Sequence, residues 1–297
     1  MRLLISLIIT LALVIAVHLM IGWRVIFEPW TLIPIIELIP SIILVLLSYL
    51  LRSIRIMDWF DRAQFPSSTQ VMLQHNLWNN LLPMRTGELS FPVLATKHLE
   101  TDIPKSLIAL FWFRVFDLLC ICVILVSALS LWLDYPVFIA PALFVFCIFI
   151  PGVNFLQKKI PTLLTNQKPK LITVLKRLKT ESRQLWRCLL WSLTNWISKL
   201  LAYASIFSIF ANTDFVGSLI AVIGGEFTSI LPIHGIAGLG TYEAGIVSIS
   251  LALNMSYENT LAAGVNLHLF LLSITLFTGL LSLLFPLIKQ QRNDNEV

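Results

Sequence analysis

The sequence predicts an all-α integral membrane protein, and three observations carry this prediction. Of its 297 residues, 57% are hydrophobic and only 12% are charged, about half the ~25% charged residues of a soluble globular chain. Several apolar runs are long enough to cross a bilayer. Two Gly/Pro-interrupted segments share a Leu-Pro motif and predict an inverted internal repeat. A water-soluble enzyme is excluded, and residues 1–297 are interpreted as a single polytopic membrane domain.

Six apolar runs predict full spans, since a transmembrane helix needs about 20 such residues. These runs cover residues 3–23, 33–51, 105–133, 137–153, 188–211 and 260–286. The first run is interpreted as a span because it is longer than the apolar core of a signal peptide and no small-x-small cleavage site follows it. Eight membrane helices result if two further hairpins are counted as spans.

Basic residues collect on one side of this topology. They fall at Arg2, at 52–62, within 158–187 and at 289–292. By the positive-inside rule, both termini are expected in the cytoplasm. Arg55 and Arg62 are interpreted here as solvated charges. Asp58 and Asp61 are interpreted as their charge partners, with joint chemistry at the interface as the alternative.

The basic segment 154–187 is predicted to join two repeat halves at about 1–150 and 188–290. Leu171, Leu175, Leu178 and Leu185 recur in it at helical spacing, with Lys and Arg on other faces. This pattern is typical of an amphipathic helix on an anionic leaflet. A solvated linker helix is the alternative.

Residues 69–98 and 215–255 are too polar for simple spans and too apolar for ordinary loops. Broken backbone at membrane depth is tolerated only inside protein or along a water-filled cavity. Both segments are therefore predicted as re-entrant or broken-helix hairpins. Their predicted hinges are Pro83 and Gly87 in the first, and Pro232, Gly238 and Gly240 in the second.

The two hairpins align with each other. Residues 79–85 match 228–234 around a shared Leu-Pro pair, 105–109 match 259–263, and Arg114 falls opposite His268. An odd number of predicted crossings separates the copies, so the second copy is expected to be inverted. Inverted repeats with broken helices near the midplane are typical of transporters. Chance recurrence in apolar sequence is the alternative.

Charged residues at predicted membrane depth mark the candidate site. A charge at a helix centre costs roughly 2.5 to 3.5 kcal/mol, so these groups are expected to face one another or water. Lys199 has no acid within four residues, so its partner must come from another helix or a ligand. Arg114 and Asp117 share a helix face, with a purely structural ion pair as the alternative.

These residues suit an anionic headgroup with attached polar groups, because Arg and Lys bind phosphate and half-helix ends help. The predicted substrate-binding residues are Arg85, Glu88, Arg114, Asp117, Lys199, Glu226, His234, Glu243 and His268.

Catalytic motifs are absent from the sequence. It contains no P-loop, G-x-S-x-G or H-E-x-x-H pattern, so no catalytic residue, metal or cofactor is expected and the protein is not expected to be an enzyme. The excess positive charge lies in one membrane-flanking loop, which argues against a nucleic-acid partner.

The sequence resembles the flippase-like membrane domain of lysylphosphatidylglycerol synthases over about residues 70–285. The family's P-G-R-A-G-E-like, E-R-x-x-D and G-G-x-G-x-x-E segments are matched, in order, by Pro83, Arg85, Gly87 and Glu88, by Arg114 and Asp117, and by Gly238, Gly240 and Glu243. Departures are Met84 and Thr86 at small-residue positions, Phe113 for the Glu, and Ile236-Ala237 for Pro-Gly.

The resemblance implies translocation without synthesis, because aminoacyl transfer in the large synthases belongs to a soluble domain. The expected function is movement of an anionic or zwitterionic phospholipid, or a polyprenyl-phosphate-linked glycan, between leaflets. One alternative is a non-transporting membrane partner of a cytoplasmic glycosyltransferase or other cell-envelope enzyme. Another is an integral-membrane transferase acting on lipid phosphate.

Overall fold

A computed structural model describes residues 2–61, 63–163, 180–228 and 235–284. In these ranges the chain forms eleven α-helices and no strand. The helices are α1 (Arg2–Ala16), α2 (Trp23–Leu32), α3 (Ile35–Trp59), α4 (Phe65–Leu81), α5 (Ser90–Leu99), α6 (Ile103–Trp132), α7 (Ile139–Leu163), α8 (Ser182–Ala211), α9 (Phe215–Thr228), α10 (Thr241–Ala252) and α11 (Tyr257–Leu284).

The long helices confirm the predicted fold class. Helices α3, α6 and α11, and α7 with the 3₁₀ turn before it, are each long and apolar enough to cross a membrane. Two bent pairs also qualify when each is taken as one span: α1 with its following π turn and α2, bent by 79°, and α8 with α9, bent by 111°. Within the described ranges the count therefore reaches six.

The first span ends in a bend that sequence reasoning missed. Gly22 adopts φ 84°, a left-handed conformation that favours glycine, and the chain turns there into α2. Residues 24–32 lie between the first two predicted spans and were expected to form a connecting turn. They form a helix in which Arg24 Nε lies 3.1 Å from Glu28 Oε2, a favourable i,i+4 pair.

Helix α3 is longer than its apolar run. It continues from the predicted end at Leu51 through Trp59, so Arg52 and Arg55 lie on a packed helix. At its end, Asp58 lies in an ion pair with Arg187 and accepts a hydrogen bond from Trp191 Nε1 at 3.2 Å. The expected pairing of Asp58 with Arg55 is therefore wrong.

Helices α3 and α8 run antiparallel, as the inverted repeat requires of the helix that precedes each hairpin. Gln184 donates to the Trp59 carbonyl at 2.9 Å near the end of α3. Ser198 donates to the Leu44 carbonyl at 2.8 Å near its start. Ser48 donates to Asn195 Oδ1 at 2.7 Å between them. Chain order in α8 thus reverses that in α3.

Each predicted hairpin is a pair of helices around a break, and each packs on the other half of the molecule. Helices α4 and α5 flank the first break, and α9 and α10 flank the second. In the first, α4 packs on α11, where Asn80 Nδ2 donates to Thr275 Oγ1 at 3.3 Å. In the second, α9 packs on α6. Each hairpin thus packs on a long helix of the opposite half, as expected for two related units.

The amphipathic segment 154–187 is described only at its ends. Residues up to 163 extend α7, and those from 182 begin α8. Leu185, the last residue of the expected apolar stripe, is fully buried in the core. Residues 164–179, which include the other three leucines, lie outside the described residues.

The antiparallel packing of α3 and α8 can be tested by disulfide cross-linking. In a background with the native cysteines replaced, Leu44→Cys with Ser198→Cys should cross-link under mild oxidation, because these positions contact each other and disulfides need short Cα separations. Leu44→Cys with Trp191→Cys should not. The reverse result on non-reducing gels contradicts the inversion.

Candidate functional site

A cavity of about 700 Å³ lies between the two halves, lined by residues of α3, α4, α6, α8, α9, α10 and α11 and by both hairpin breaks. Its lining mixes charged and polar side chains with apolar ones. Charged or titratable lining residues are Arg52, Glu88, Arg114, Asp117, Lys199, Glu226 and His268. Neutral polar ones include Ser48, Tyr49, Asn76, Asn79, Asn80, Asn195, Tyr203 and Thr275.

The structure brings six of the nine predicted substrate-binding residues to this one cavity, together with one predicted hinge. They are Glu88, Arg114, Asp117, Lys199, Glu226 and His268, and the hinge Gly238. Residues Pro232 and His234, and the side chains of Pro83 and Arg85, lie outside the described part of the chain.

Lys199 has its partner on another helix, as predicted. Its Nζ donates to Glu226 Oε2 on α9 at 2.7 Å. The ammonium also lies 4.4 Å from the Trp196 ring centroid and 5.0 Å from that of Tyr203. Cation–π contacts of this kind stabilise a desolvated cation. One carboxylate and two aromatic rings therefore stabilise the Lys199 ammonium, and this wall of the cavity keeps a polar group.

Arg114 is paired across the first hairpin. Its Nε donates to Glu88 Oε2 at 3.2 Å, and its Nη2 donates to Oε1 of the same carboxylate. This two-point geometry is the strong form of an arginine–carboxylate pair. Glu88 also lies 4.0 Å from Nε2 of His75 on α4. The pair thus ties the segment after the break to α6 at the cavity wall.

Asp117 is bound by Arg55, a residue that sequence reasoning placed in solvent. Arg55 is only 4% exposed, and its Nη1 donates to Asp117 Oδ1 at 2.6 Å and to Ser192 Oγ at 2.7 Å. Trp196 Nε1 donates to the same Asp117 oxygen at 3.0 Å. Arg55 was missed because it was counted among the basic residues that flank a span.

The Arg114–Asp117 contact expected from their i,i+3 spacing is secondary. Their nearest nitrogen and oxygen atoms lie 3.7 Å apart, whereas each has a closer partner on another element. The two residues therefore belong to a network that joins α3, α6, α8 and the first hairpin. Asp117 still presents part of its carboxylate to the cavity.

Glu243 does not line the cavity, so its predicted contact with substrate is corrected. It is fully buried, and its Oε2 accepts a hydrogen bond from Gly240 N at 2.7 Å, capping α10. Its Oε1 lies 2.7 Å from His268 Nδ1. The first amides of a helix need an acceptor, and Glu243 meets that need while it positions His268.

Both ring nitrogens of His268 contact an oxygen atom, since Nε2 lies 3.1 Å from the Ala237 carbonyl and Nδ1 lies against Glu243. The buried imidazole and the buried carboxylate therefore each have a polar partner, which limits their cost at membrane depth.

The hinge glycines have steric reasons for their positions. Gly240 has φ 92°, a conformation that L side chains rarely adopt, and it lies against the backbone of Ile9 on α1. A Cβ at Gly87 would collide with the backbone of Asn79. The first break can therefore fold tightly against the end of α4.

The two halves carry equivalent ion pairs. In each, an acid after the hairpin break contacts a cationic or protonated group on the following long helix. Glu88 and Arg114 are 26 residues apart, and Glu243 and His268 are 25 apart. This is the correspondence of Arg114 with His268 that the sequence alignment of the halves predicts.

The most important cavity residue that sequence reasoning missed is Arg52. It follows Tyr49 by three residues on α3, so both face one side, and its Nη1 donates to Asn76 Oδ1 at 2.6 Å. The available signal was the Asn-rich end of α4, with Asn76, Asn79 and Asn80 at helical spacing. Amides in an apolar hairpin imply polar partners nearby.

Comparison with known proteins gives one result at the level of the family. The family described as "Lysylphosphatidylglycerol synthase TM region" matches residues 3–279. No curated protein and no solved structure matches the chain.

The buried Arg55–Asp117 pair predicts a strong effect on stability. Asp117→Asn leaves Arg55 without its counter-charge and is expected to lower the free energy of unfolding by about 3–5 kcal/mol, measured in mixed micelles. Arg55→Met combined with Asp117→Leu should recover most of it. Glu28→Gln, at an exposed pair, should have no measurable effect. A single variant as stable as wild type contradicts the proposed network.

Proposed function

Because the chain belongs to the lysylphosphatidylglycerol synthase transmembrane-region family, we propose that it moves a phosphate-bearing lipid between the two leaflets of its membrane. The family consists of membrane proteins of lipid or cell-envelope metabolism. The proposed cargo is a glycerophospholipid or a polyprenyl-phosphate-linked glycan. The headgroup travels through the cavity, and the acyl chains stay in the bilayer.

The observation that carries the proposal is the amphipathic form of the cavity. Its lining combines charged and amide groups with an apolar edge formed by Leu107, Phe111 and Leu118 of α6, which are 46%, 45% and 44% exposed. A small soluble solute needs no such edge. A lipid needs both parts at once.

The energetics of headgroup transfer favour such a path. Moving a polar group into hydrocarbon without hydrogen-bond partners costs roughly 2–7 kcal/mol, and an isolated charge costs far more. The cavity replaces water with arginine, lysine, carboxylate and amide groups at one location. Its volume of about 700 Å³ lies within the roughly 300–1,000 Å³ of small-molecule sites, which is room enough for a headgroup.

The repeat supplies a way to open the cavity to either side. In transporters built from inverted repeats, one unit moves against the other around a fixed central site. Here the cavity lies between the antiparallel halves, with a helix break of each half in its wall. Movement of one half against the other would give two conformations, related by the repeat, in which the cavity opens to opposite leaflets.

The orientation belongs to this proposal. The proposed location is a bacterial inner membrane, and the basic clusters of the sequence favour both termini and the basic segment 154–187 on its cytoplasmic side. Membrane lipids are then its partners.

Reconstitution into liposomes tests the proposed activity. With headgroup-labelled phosphatidylglycerol in both leaflets and a membrane-impermeant quencher outside, wild-type protein should increase the quenched fraction beyond the outer-leaflet share. Lys199→Met removes the ammonium that pairs with Glu226 inside the cavity, so we expect a rate lowered about tenfold or more.

A matched control separates transport from docking of an enzyme. Lys176→Glu with Arg177→Glu changes the basic segment and should leave translocation unchanged. If no lipid crosses faster than in protein-free vesicles, the proposal is wrong. If the loop variant alone loses function in cells, the membrane-partner alternative is favoured.

Cysteine labelling tests the orientation. Single cysteines replacing Asn293 and Thr165 should react with an impermeant maleimide only after the cells are opened. A cysteine replacing Asp134 should react in spheroplasts with an intact inner membrane. Labelling of position 165 from outside contradicts the proposed topology.

A further inference from the structure

We infer that Arg52 is the phosphate-binding residue of the cavity, and that the cavity selects lipids whose headgroup carries a single phosphodiester charge. This inference rests on the proposed function, and it adds a residue and a charge limit. The residue and the charge limit both follow from how the charged groups around the cavity are paired.

Every carboxylate at the cavity, and Glu243 behind its wall, is already matched. Within the described ranges, the pairs are Glu88 with Arg114, Asp117 with Arg55, Glu226 with Lys199, and Glu243 with His268. Each pair is close to neutral, so none of these cations is available to compensate an incoming anion without breaking an existing contact.

Arg52 is the exception among the described cavity cations. It forms no ion pair, and its one hydrogen bond is to a neutral amide oxygen, that of Asn76, at 2.6 Å. The charged side chains that act on it are three positive ones, Arg55, Arg114 and Lys199, and one negative one, Asp117, which already binds Arg55. Among the described cavity residues, Arg52 therefore carries the one positive charge that no carboxylate pairs with.

The guanidinium of Arg52 has unbonded N–H groups. Arg52 lines the cavity, and its Nε and Nη2 bond no described group, yet neither is fully buried without a partner. Two N–H groups of one guanidinium form the planar fork that matches two phosphate oxygens. A compact ammonium offers no such geometry.

The groups around Arg52 suit the rest of a phosphodiester. Tyr49 and Thr275 hydroxyls lie 2.9 Å apart, and Asn80 donates to the same Thr275 oxygen at 3.3 Å. All three residues line the cavity. They are neutral, so they can hydrogen-bond ester oxygens or hydroxyl groups, but they add no further positive charge.

The charge balance sets the class of ligand. A phosphodiester brings one negative charge, which Arg52 compensates. A diphosphate brings at least one more, which no further unpaired cation among the described cavity residues would compensate in a water-poor site. The ligand chemistry is thus a lipid phosphodiester, and two sources share it: glycerophospholipids and polyprenyl-phosphate sugars.

Retention of lipid by the detergent-purified full chain, measured by native mass spectrometry, tests this inference independently of translocation. The probes are phosphatidylglycerol, a polyprenyl-phosphate hexose, a polyprenyl diphosphate, and diacylglycerol with the same acyl chains. Wild type should retain at least one phosphodiester about tenfold better than diacylglycerol, and the diphosphate less well. The better-retained phosphodiester identifies the source.

Two variants remove the free charge in different ways. Arg52→Gln deletes it. Asn76→Asp keeps the arginine and the shape of the site but gives Arg52 an internal carboxylate. Both should lower phosphodiester retention about tenfold and leave diacylglycerol retention unchanged. Arg24→Gln, at an exposed ion pair outside the cavity, is the matched control and should behave as wild type.

Retention by both variants within about twofold of wild type overturns the inference, since a charged hydrogen bond is worth more than that. Stronger retention of the diphosphate overturns the charge limit. If retention follows the prediction but no lipid crosses in liposomes, the phosphate site stands and the proposed translocation fails.

Discussion

The structure depends on compensating charge where water is scarce. Seven titratable groups converge on one cavity in a chain that is otherwise largely apolar, and each carboxylate among them has a close cationic partner. An isolated charge in hydrocarbon is among the costliest arrangements available to a protein. The pairs cross between elements, so satisfying them also fixes how the helices pack. Arg55, for example, joins α3 to α6 through Asp117 and to α8 through Ser192.

The arrangement of the two halves places these charge pairs around one cavity. Because α3 and α8 run antiparallel and each hairpin packs on the other half, the broken helix ends of both units meet at one cavity. Each half contributes an acid after its break and a partner on the next long helix. The halves are not identical, however. Glu88 lines the cavity, whereas Glu243 is fully buried and caps a helix, so one pair is open to a ligand and the other mainly holds the fold.

Sequence reasoning reached the fold because its signals are local. Apolar length predicted the spans, and Gly/Pro interruption with trapped polarity predicted both hairpins. The same logic gave Lys199 a distant partner, since no acid lies near it in sequence. Sequence alone could not distinguish Arg55 from the solvated basic residues that flank a span, because the burial of a side chain at a helix end depends on what packs there. The bend at Gly22 was missed for a related reason. One glycine in an apolar run does not reveal that the next helix leaves at an angle of 79°.

A cryo-EM map of the protein in lipid nanodiscs tests the central claim most directly, namely that the paired charges surround one wet, lipid-accepting cavity. We predict phosphate density beside Arg52 within the cavity, with acyl density leaving across Leu107, Phe111 and Leu118. Ionised side chains turned outward toward acyl chains, or a cavity closed by direct packing of its polar walls in every class of particles, contradict the account.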